Sequence, residues 1–318
     1  MMYSLEEINK ILRAPQAFET RKEKLMSCLE EFLVANIDPK KSPNLSSGVD
    51  DLTLVFDVLG SEVFRRSDLL VPLLKVMKIL MRKPENRASV LDAQMANLVL
   101  VLSAPPSMVA AREAANVILN MCYDSQNVVM FVQQGGARAL VPLTQSPDIN
   151  LQGSALGALQ SVSYQKEGRS ALREIGAISL VCSLLESEHQ KVQARAVGAV
   201  HNLSADAQNL HHIREAGGLE ALVPLLRSHE SEVCSLAAGA LQNLSRERAS
   251  RKVLYACGAV APLTDLLVGA DIHSQASAAG ALLNILGPEL DDSKKEAFGV
   301  FLADSIVMGT IVSCFTSR

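Results

Sequence analysis

Hydrophobic residues recur along most of this 318-residue chain at intervals of three and four, the spacing of amphipathic helices. Between residues 209 and 245 this pattern predicts three helices. They are a short polar helix at 209–216, a leucine-rich helix at 219–227 and an alanine-rich helix at 232–245. Alternating patterns typical of strands are nearly absent. The chain is therefore predicted to be all-α.

This predicted three-helix unit recurs with a fixed period. Glycines that end the first helix stand 41 residues apart, without a gap, at 135, 176, 217 and 258. Glycine suits such a position because it adopts positive φ at little cost. A polar residue near the end of the third helix keeps the same period, as Asn120, Ser161, Asn202, Asn243 and Asn284. A fixed period of this length is typical of a solenoid.

The repeated units resemble armadillo repeats. Those have about this length, a short-long-long helix plan, a glycine before the second helix and an alanine-rich third helix ending in Asn-Leu. The last feature is present as Asn202-Leu203, Asn243-Leu244 and Asn284-Ile285. HEAT repeats have similar length but usually two helices. The resemblance covers roughly residues 84–315 and implies a right-handed armadillo-type α-solenoid of three-helix repeats with a 41-residue period.

The N-terminal part of the chain departs from the repeat pattern. We expect residues 1–48 to form a helical cap and a polar loop, with helices at about 5–12 and 20–35, because an array needs its first apolar face covered. Residues 49–83 are expected to be a degenerate first repeat whose third helix spans about 69–81.

Five repeats are expected over residues 84–290, followed by an incomplete terminal repeat or C-terminal cap at 291–318. The apolar segment 298–315 lies in this last part. We do not expect it to span a membrane, because Asp304 near its centre would cost ~2.5–3.5 kcal/mol on insertion and the segment is short for a span.

Composition narrows the function classes. The formal net charge of −4 argues against a general nucleic-acid binder, which normally shows a basic excess. Six scattered cysteines without a CxxC pair are typical of buried thiols in a reducing compartment. No secretory signal is expected, because the chain runs directly into Glu6 and Glu7. We therefore expect a cytoplasmic protein, with the cilium or nucleus as alternatives.

Catalytic motifs are missing from the sequence. There is no phosphate-binding loop, no Gly-x-Ser-x-Gly elbow and no His-Glu-x-x-His pair. His211 and His212 lack accompanying ligands at zinc-binding spacing, so we interpret them as a surface pair. The sequence therefore predicts a non-catalytic protein that needs no cofactor or metal.

The periodic Asn and Ser residues are the strongest candidate binding feature. A carboxamide offers both a donor and an acceptor, which an extended peptide backbone can pair with. The armadillo resemblance implies that these residues line a concave groove and bind peptide main chain. The alternative is that they satisfy backbone groups between neighbouring repeats. Flanking candidates for partner contact are Glu113 and Arg195, two turns earlier, and Gln160, His201 and Gln242, one residue earlier.

Glycines stand one turn before the Asn or Ser, at 157, 198, 239 and 280. Either they admit bulky partner side chains, or they allow close packing of adjacent third helices. Nuclear-import adaptors of the family carry Trp there, and this chain has no Trp, so import activity is not expected. The pattern is more similar to vacuolar, ciliary and plant U-box armadillo proteins.

We therefore expect a protein-protein interaction scaffold that binds an extended or helical segment of a partner protein. The alternatives are the substrate-recruiting region of a ubiquitin ligase and a structural component of a ciliary or cytoskeletal assembly. The expected partner is a protein or peptide segment rather than nucleic acid or a membrane, and the sequence leaves the oligomeric state open.

Overall fold

A computed structural model of the protein describes residues 5–13, 21–38 and 50–286. These residues form α-helices and short 3-10 turns, and no strand occurs among them, which confirms the predicted all-α class. The chain divides into two compact units, an N-terminal unit of residues 1–175 and a C-terminal unit of residues 176–318.

The N-terminal unit begins with the two helices expected of a cap and continues with short and long helices in alternation. Its helices are α1 (Leu5–Leu12), α2 (Lys22–Ala35), α3 (Thr53–Asp57), α4 (Glu62–Arg65), α5 (Leu70–Leu80), α6 (Pro84–Ala88), α7 (Asp92–Ser103), α8 (Met108–Met121), α9 (Ser125–Gln133), α10 (Gly136–Leu140), α11 (Ile149–Tyr164) and α12 (Lys166–Glu174). The helices predicted near 5–12, 20–35 and 69–81 are confirmed by α1, α2 and α5.

The C-terminal unit continues the same order of helices. They are α13 (Ala177–Ser183), α14 (Gln190–Ser204), α15 (Leu210–Glu215), α16 (Gly218–Leu222), α17 (Ser231–Leu244), α18 (Arg248–Ala256), α19 (Val260–Leu267) and α20 (Ile272–Leu286). The expected terminal repeat at 291–318, with its apolar segment 298–315, lies outside the described residues. Among the helices that the structure describes, none is both long and apolar enough to cross a bilayer.

The prediction of one continuous second helix at 219–227 is wrong. Helix α16 ends at Leu222, and a 3-10 turn follows at Pro224–Arg227. Pro224 has no N–H for the helical hydrogen bond to the carbonyl four residues earlier, so the chain tightens there. The same change occurs at Val141–Gln145, which contains Pro142. In contrast, Pro262 lies in the first turn of α19, where no such bond is needed, and α19 runs on unbroken.

The predicted glycine turns are confirmed. Positive φ, between 72° and 75°, occurs at Gly135, Gly176, Gly217 and Gly258. No described residue other than glycine has positive φ. At Gly217 the backbone N–H donates to the Arg214 carbonyl at 3.1 Å, which closes α15 before α16 begins. The period in the sequence thus corresponds to a repeated left-handed turn between the first and second helices.

Replacing Gly217 with Ala is expected to lower the free energy of unfolding by ~1–2 kcal/mol, because an L residue is strained in the left-handed region. A Cβ there would meet no atom within 4 Å, so the cost comes from the backbone alone. Gly217→Asn is the control and should cost less, since Asn tolerates this conformation. Urea denaturation measures both; equal stability of wild type and Gly217→Ala would contradict the assignment.

The third helices pack on one another in each unit. In the N-terminal unit α5 packs on α8 and α8 on α11, and in the C-terminal unit α14 packs on α17 and α17 on α20. Small side chains make this packing close: Ala237, Ala238 and Ala240 of α17 are all fully buried. Consecutive third helices therefore place equivalent residues beside one another. The periodic Asn and Ser residues lie on these helices.

Candidate functional site

The third-helix face is the candidate binding surface. We define it as the side of α5, α8 and α11 in the N-terminal unit, and of α14, α17 and α20 in the C-terminal unit, that carries the periodic Asn and Ser residues. Asn120, Asn202, Asn243 and Asn284 are half-buried, whereas Ser161 is buried at 8% exposure. The asparagines are thus the accessible members of the column.

In the C-terminal unit, two asparagine side chains reach back to the preceding repeat. Asn243 Nδ2 donates to Ser204 Oγ at 3.1 Å, and Asn284 Nδ2 donates to Ser245 Oγ at 2.9 Å. Each serine in turn donates to a carbonyl of its own helix, at 2.7 Å. Among the described residues, nothing donates to Oδ1 of Asn243 or Asn284. One amide hydrogen links the repeats, while the acceptor and second hydrogen stay available for another partner.

The N-terminal unit shows the same use of the column. Asn120 Nδ2 donates to the backbone carbonyl of Lys78 at 2.9 Å, which joins α8 to α5. The alternative noted from the sequence, that the asparagines satisfy groups between neighbouring repeats, therefore describes part of what these side chains do. Binding of a partner would use the hydrogen-bonding groups that remain on these side chains.

The glycines before the column serve close packing at two positions. A Cβ added at Gly239 would come within 2.9 Å of the His201 ring, and one added at Gly280 would overlap the Gln242 side chain. His201 and Gln242 stand at equivalent positions in consecutive repeats, and both cover the glycine of the next repeat. Of the two readings of these glycines, the structure shows close packing between adjacent third helices at Gly239 and Gly280.

Burial lowers the pKa of His201, although a hydrogen bond with Asn202 opposes the shift. The imidazole is half-buried against Gly239 and is expected to be neutral at pH 7. Neutral His201 is thus an uncharged hydrogen-bonding side chain, like Gln242 at the equivalent position of the next repeat.

This lowered pKa predicts that acid destabilises the protein. The unfolded imidazole has a pKa of about 6.5 and takes up a proton more readily than the folded one, so stability falls as the pH drops through about 6.5 toward the folded pKa. His201→Gln should flatten this dependence. The measurement is the urea midpoint between about pH 7.5 and pH 5; identical slopes for wild type and variant would contradict the prediction.

Glu113, a candidate for partner contact in the sequence, is buried in the structure. Its side chain is 5% exposed, and its carboxylate lies 2.8 Å from Lys78 Nζ and 3.4 Å from Arg112 Nη2. Burial alone would raise the pKa of Glu113, but the hydrogen bond and charge of Lys78, with Arg112, outweigh it and lower the pKa. The carboxylate serves the contact between α5 and α8. Gln160 and Arg195, also expected to contact a partner, are half-buried on α11 and α14.

A second asparagine series escaped the sequence analysis. Asn86, Asn127 and Asn209 are buried at the first helices, and each Nδ2 donates to a carbonyl near the end of the preceding third helix, at 2.8–3.1 Å. They satisfy acceptors that a helix end leaves unpaired. These residues keep the 41-residue period, but Gly168 and Ser250 interrupt the series. Self-comparison at that period could have found them.

Catalytic or metal chemistry finds no support in the part of the chain that the structure describes. No group of three or more His, Cys, Asp or Glu residues there could hold a metal ion. The rings of His211 and His212 lie 3.8 Å apart at the surface. The five described cysteines are free thiols, four of them buried, and burial raises the pKa of Cys182 to about 12. Cys314 lies outside the described residues.

Comparison with known proteins finds a family match for two consecutive segments of the chain. Residues 165–205 and 206–246 each match the model of the armadillo/beta-catenin-like repeat family. Both matches have the 41-residue length predicted from the glycine spacing, and the first begins one residue before α12. No curated protein sequence matches the chain.

Several solved structures with a similar fold are engineered proteins. One engineered protein is 27% identical, with 74% of this chain and 96% of that chain covered and a TM-score of 0.68. Another is 25% identical, with 97% and 82% covered and a TM-score of 0.72. A designed armadillo repeat protein in complex with the peptide (KR)4 is 24% identical, with 74% and 100% covered and a TM-score of 0.66. The predicted armadillo-type solenoid fold is confirmed.

Proposed function

We propose that this armadillo-repeat chain is a non-catalytic scaffold that binds an extended segment of a partner protein on its third-helix face. The observation that carries the proposal is the column Asn202, Asn243 and Asn284. These side chains are half-buried and recur every 41 residues. For Asn243 and Asn284, the carboxamide oxygen accepts no hydrogen bond from the described residues.

The spacing of the column suits an extended chain. Packed helices lie ~8–10 Å apart, and an extended peptide advances ~3.3 Å per residue, so one asparagine would serve every two or three peptide residues. The bonds of Asn243 and Asn284 to the preceding repeat fix the orientation of these amides before a peptide arrives, which reduces the entropy lost on binding. Each peptide hydrogen bond contributes only ~0.5–1.5 kcal/mol net. The column can therefore hold a main chain but cannot select a sequence.

A peptide-bound protein of the same fold and the absence of Trp bear on the kind of ligand and on the kind of armadillo array. The designed armadillo repeat protein that binds the peptide (KR)4 has the same fold, which supports a peptide as the ligand class. Glycines replace Trp at 157, 198, 239 and 280, and this favours an array of the vacuolar, ciliary or plant U-box type over an import adaptor. The alternatives are the substrate-recruiting region of a ubiquitin ligase and a structural component of a ciliary or cytoskeletal assembly.

Selection from a displayed library of random 12-residue peptides tests the proposal on the full chain. Selected peptides should bind Asn202→Ala/Asn243→Ala about ten-fold more weakly than wild type, since each asparagine loses a hydrogen bond to the peptide backbone. The variant should also lose about 1–2 kcal/mol of stability, because the bond from Asn243 to Ser204 and the hydrogen bond between Asn202 and His201 disappear.

Ser204→Ala is the matched control for that variant. It removes the same bond between repeats but keeps every amide of the column. The control should therefore share the part of the stability loss that comes from the Asn243–Ser204 bond and retain peptide affinity. A library that yields no binding peptide, or an affinity that is equal in wild type and the double asparagine variant, would contradict the proposed function.

A further inference from the structure

A group of four basic residues lies on the third-helix face of the N-terminal unit, and we call it the cationic patch. Lys75 and Lys78 of α5 and Arg82, just beyond the end of α5, are spaced by three and four residues and so share one side of the helix. Arg112 of α8 lies beside them. The connection is direct, because Lys78 and Arg112 both contact the Glu113 carboxylate.

The charges within the cationic patch do not balance. Glu113 supplies one negative charge, which Lys78 and Arg112 share. Asp68, two turns before Lys75, is engaged with Lys22 at 2.8 Å. With Glu113 included, the group has four positive charges and one negative charge, whereas the whole chain carries a net charge of −4.

Two of the basic side chains have no partner within the part of the chain that the structure describes. Lys75 and Arg82 make no ion pair or side-chain hydrogen bond with a described residue, and Arg82 Nη1 is buried without an acceptor. Both side chains are half-buried and thus reachable.

We propose that the cationic patch binds an acidic extended segment of a partner protein, with carboxylates facing Lys75 and Arg82. This inference rests on the proposed function and adds the chemistry of the partner: Asn120, whose amide is fixed by the Lys78 carbonyl, lies on the same face and would hold the main chain. The designed armadillo repeat protein named above is in complex with (KR)4, a basic peptide. The two chains should therefore prefer peptides of opposite charge.

Fluorescence anisotropy of labelled (DE)4 and (KR)4 peptides on the full chain tests the proposal. We expect (DE)4 to bind at least about ten-fold more tightly than (KR)4, and its affinity to fall as salt rises from about 50 to 300 mM. Lys75→Gln/Arg82→Gln should weaken (DE)4 binding about five-fold or more, since each ion pair with a peptide carboxylate contributes a modest amount. Lys78 and Arg112 stay unchanged because they stabilise the buried Glu113.

Arg138→Gln/Lys166→Gln is the matched control, with the same change of charge at exposed positions of α10 and α12. It should alter (DE)4 affinity less than about two-fold, and melting curves should show both double variants folded. Equal binding of (KR)4 and (DE)4, or an equal effect of the two double variants, would overturn the proposal. So would an eight-nucleotide oligothymidine that binds as tightly as (DE)4 and loses affinity in the same variant.

These outcomes separate the inference from the proposed function. If (DE)4 fails to bind while library-selected neutral peptides still bind through Asn202 and Asn243, the cationic patch proposal is wrong and the scaffold proposal stands. If no peptide of any charge binds, both are wrong.

Discussion

Replacing Phe131 with Ala is expected to lower the free energy of unfolding by ~3–5 kcal/mol, the range for removing a buried aromatic ring. Phe131 is fully buried in α9, and its ring lies directly against Gly136, where an added Cβ would overlap it. Because Gly136 has no side chain that could move into the space, the cavity left by the ring collapses poorly. The glycine and the ring thus form one packing unit between the first and second helices of this repeat.

Tyr164→Ala is the control for the loss of an aromatic ring. Tyr164 is 68% exposed, so the change should cost less than about 0.5 kcal/mol. Urea denaturation of the three proteins measures the difference. A cost for Phe131→Ala below about 1 kcal/mol would show that α9 does not pack as described.

Lys78→Met is the second substitution with a large expected effect, about 2–3 kcal/mol of lost stability. It leaves the buried Glu113 carboxylate with Arg112 as its remaining cation, and breaking a buried pair on one side costs more than the pair itself contributes. The partial exposure of Lys78, 28%, keeps the effect below that of a fully buried pair. Lys78→Met/Glu113→Leu should recover most of the loss, because no charge remains buried.

The pH dependence gives an independent check on this pair. The pKa of Glu113 is lowered in the folded protein, so its contribution to stability is present above about pH 4.5 and is lost as the pH falls through the folded value. The double variant should lack that loss. If Lys78→Met alone were as stable as wild type near neutral pH, the ion pair would not stabilise the contact between α5 and α8.

The sequence was sufficient for features that depend on local conformation. The left-handed turns at Gly135, Gly176, Gly217 and Gly258 followed from spacing and from the conformational freedom of glycine. The third helices followed from the alanine-rich pattern, as α17 shows to within one residue. The second helix was predicted too long, because the pattern of leucines continues through Pro224 while the missing N–H breaks the helix.

Features that depend on contacts between repeats were harder to predict. Glu113 was expected to contact a partner, but its carboxylate pairs with Lys78, which lies in the repeat expected to be degenerate. The amide orientation of Asn243 depends on Ser204, a residue 39 positions away. A periodic pattern identifies equivalent positions, but it does not show which side chain reaches across to the neighbouring repeat.

The most direct test of the scaffold proposal is the NMR signal of the asparagine side-chain amides during titration with a library-selected peptide. Assignment through single Asn→Ala variants identifies Asn202, Asn243 and Asn284, with the buried Asn209 as an internal control. We predict that the three column amides shift on peptide addition while Asn209 does not. Saturated peptide binding without any shift at Asn202, Asn243 or Asn284 would contradict the proposal that this column holds the partner.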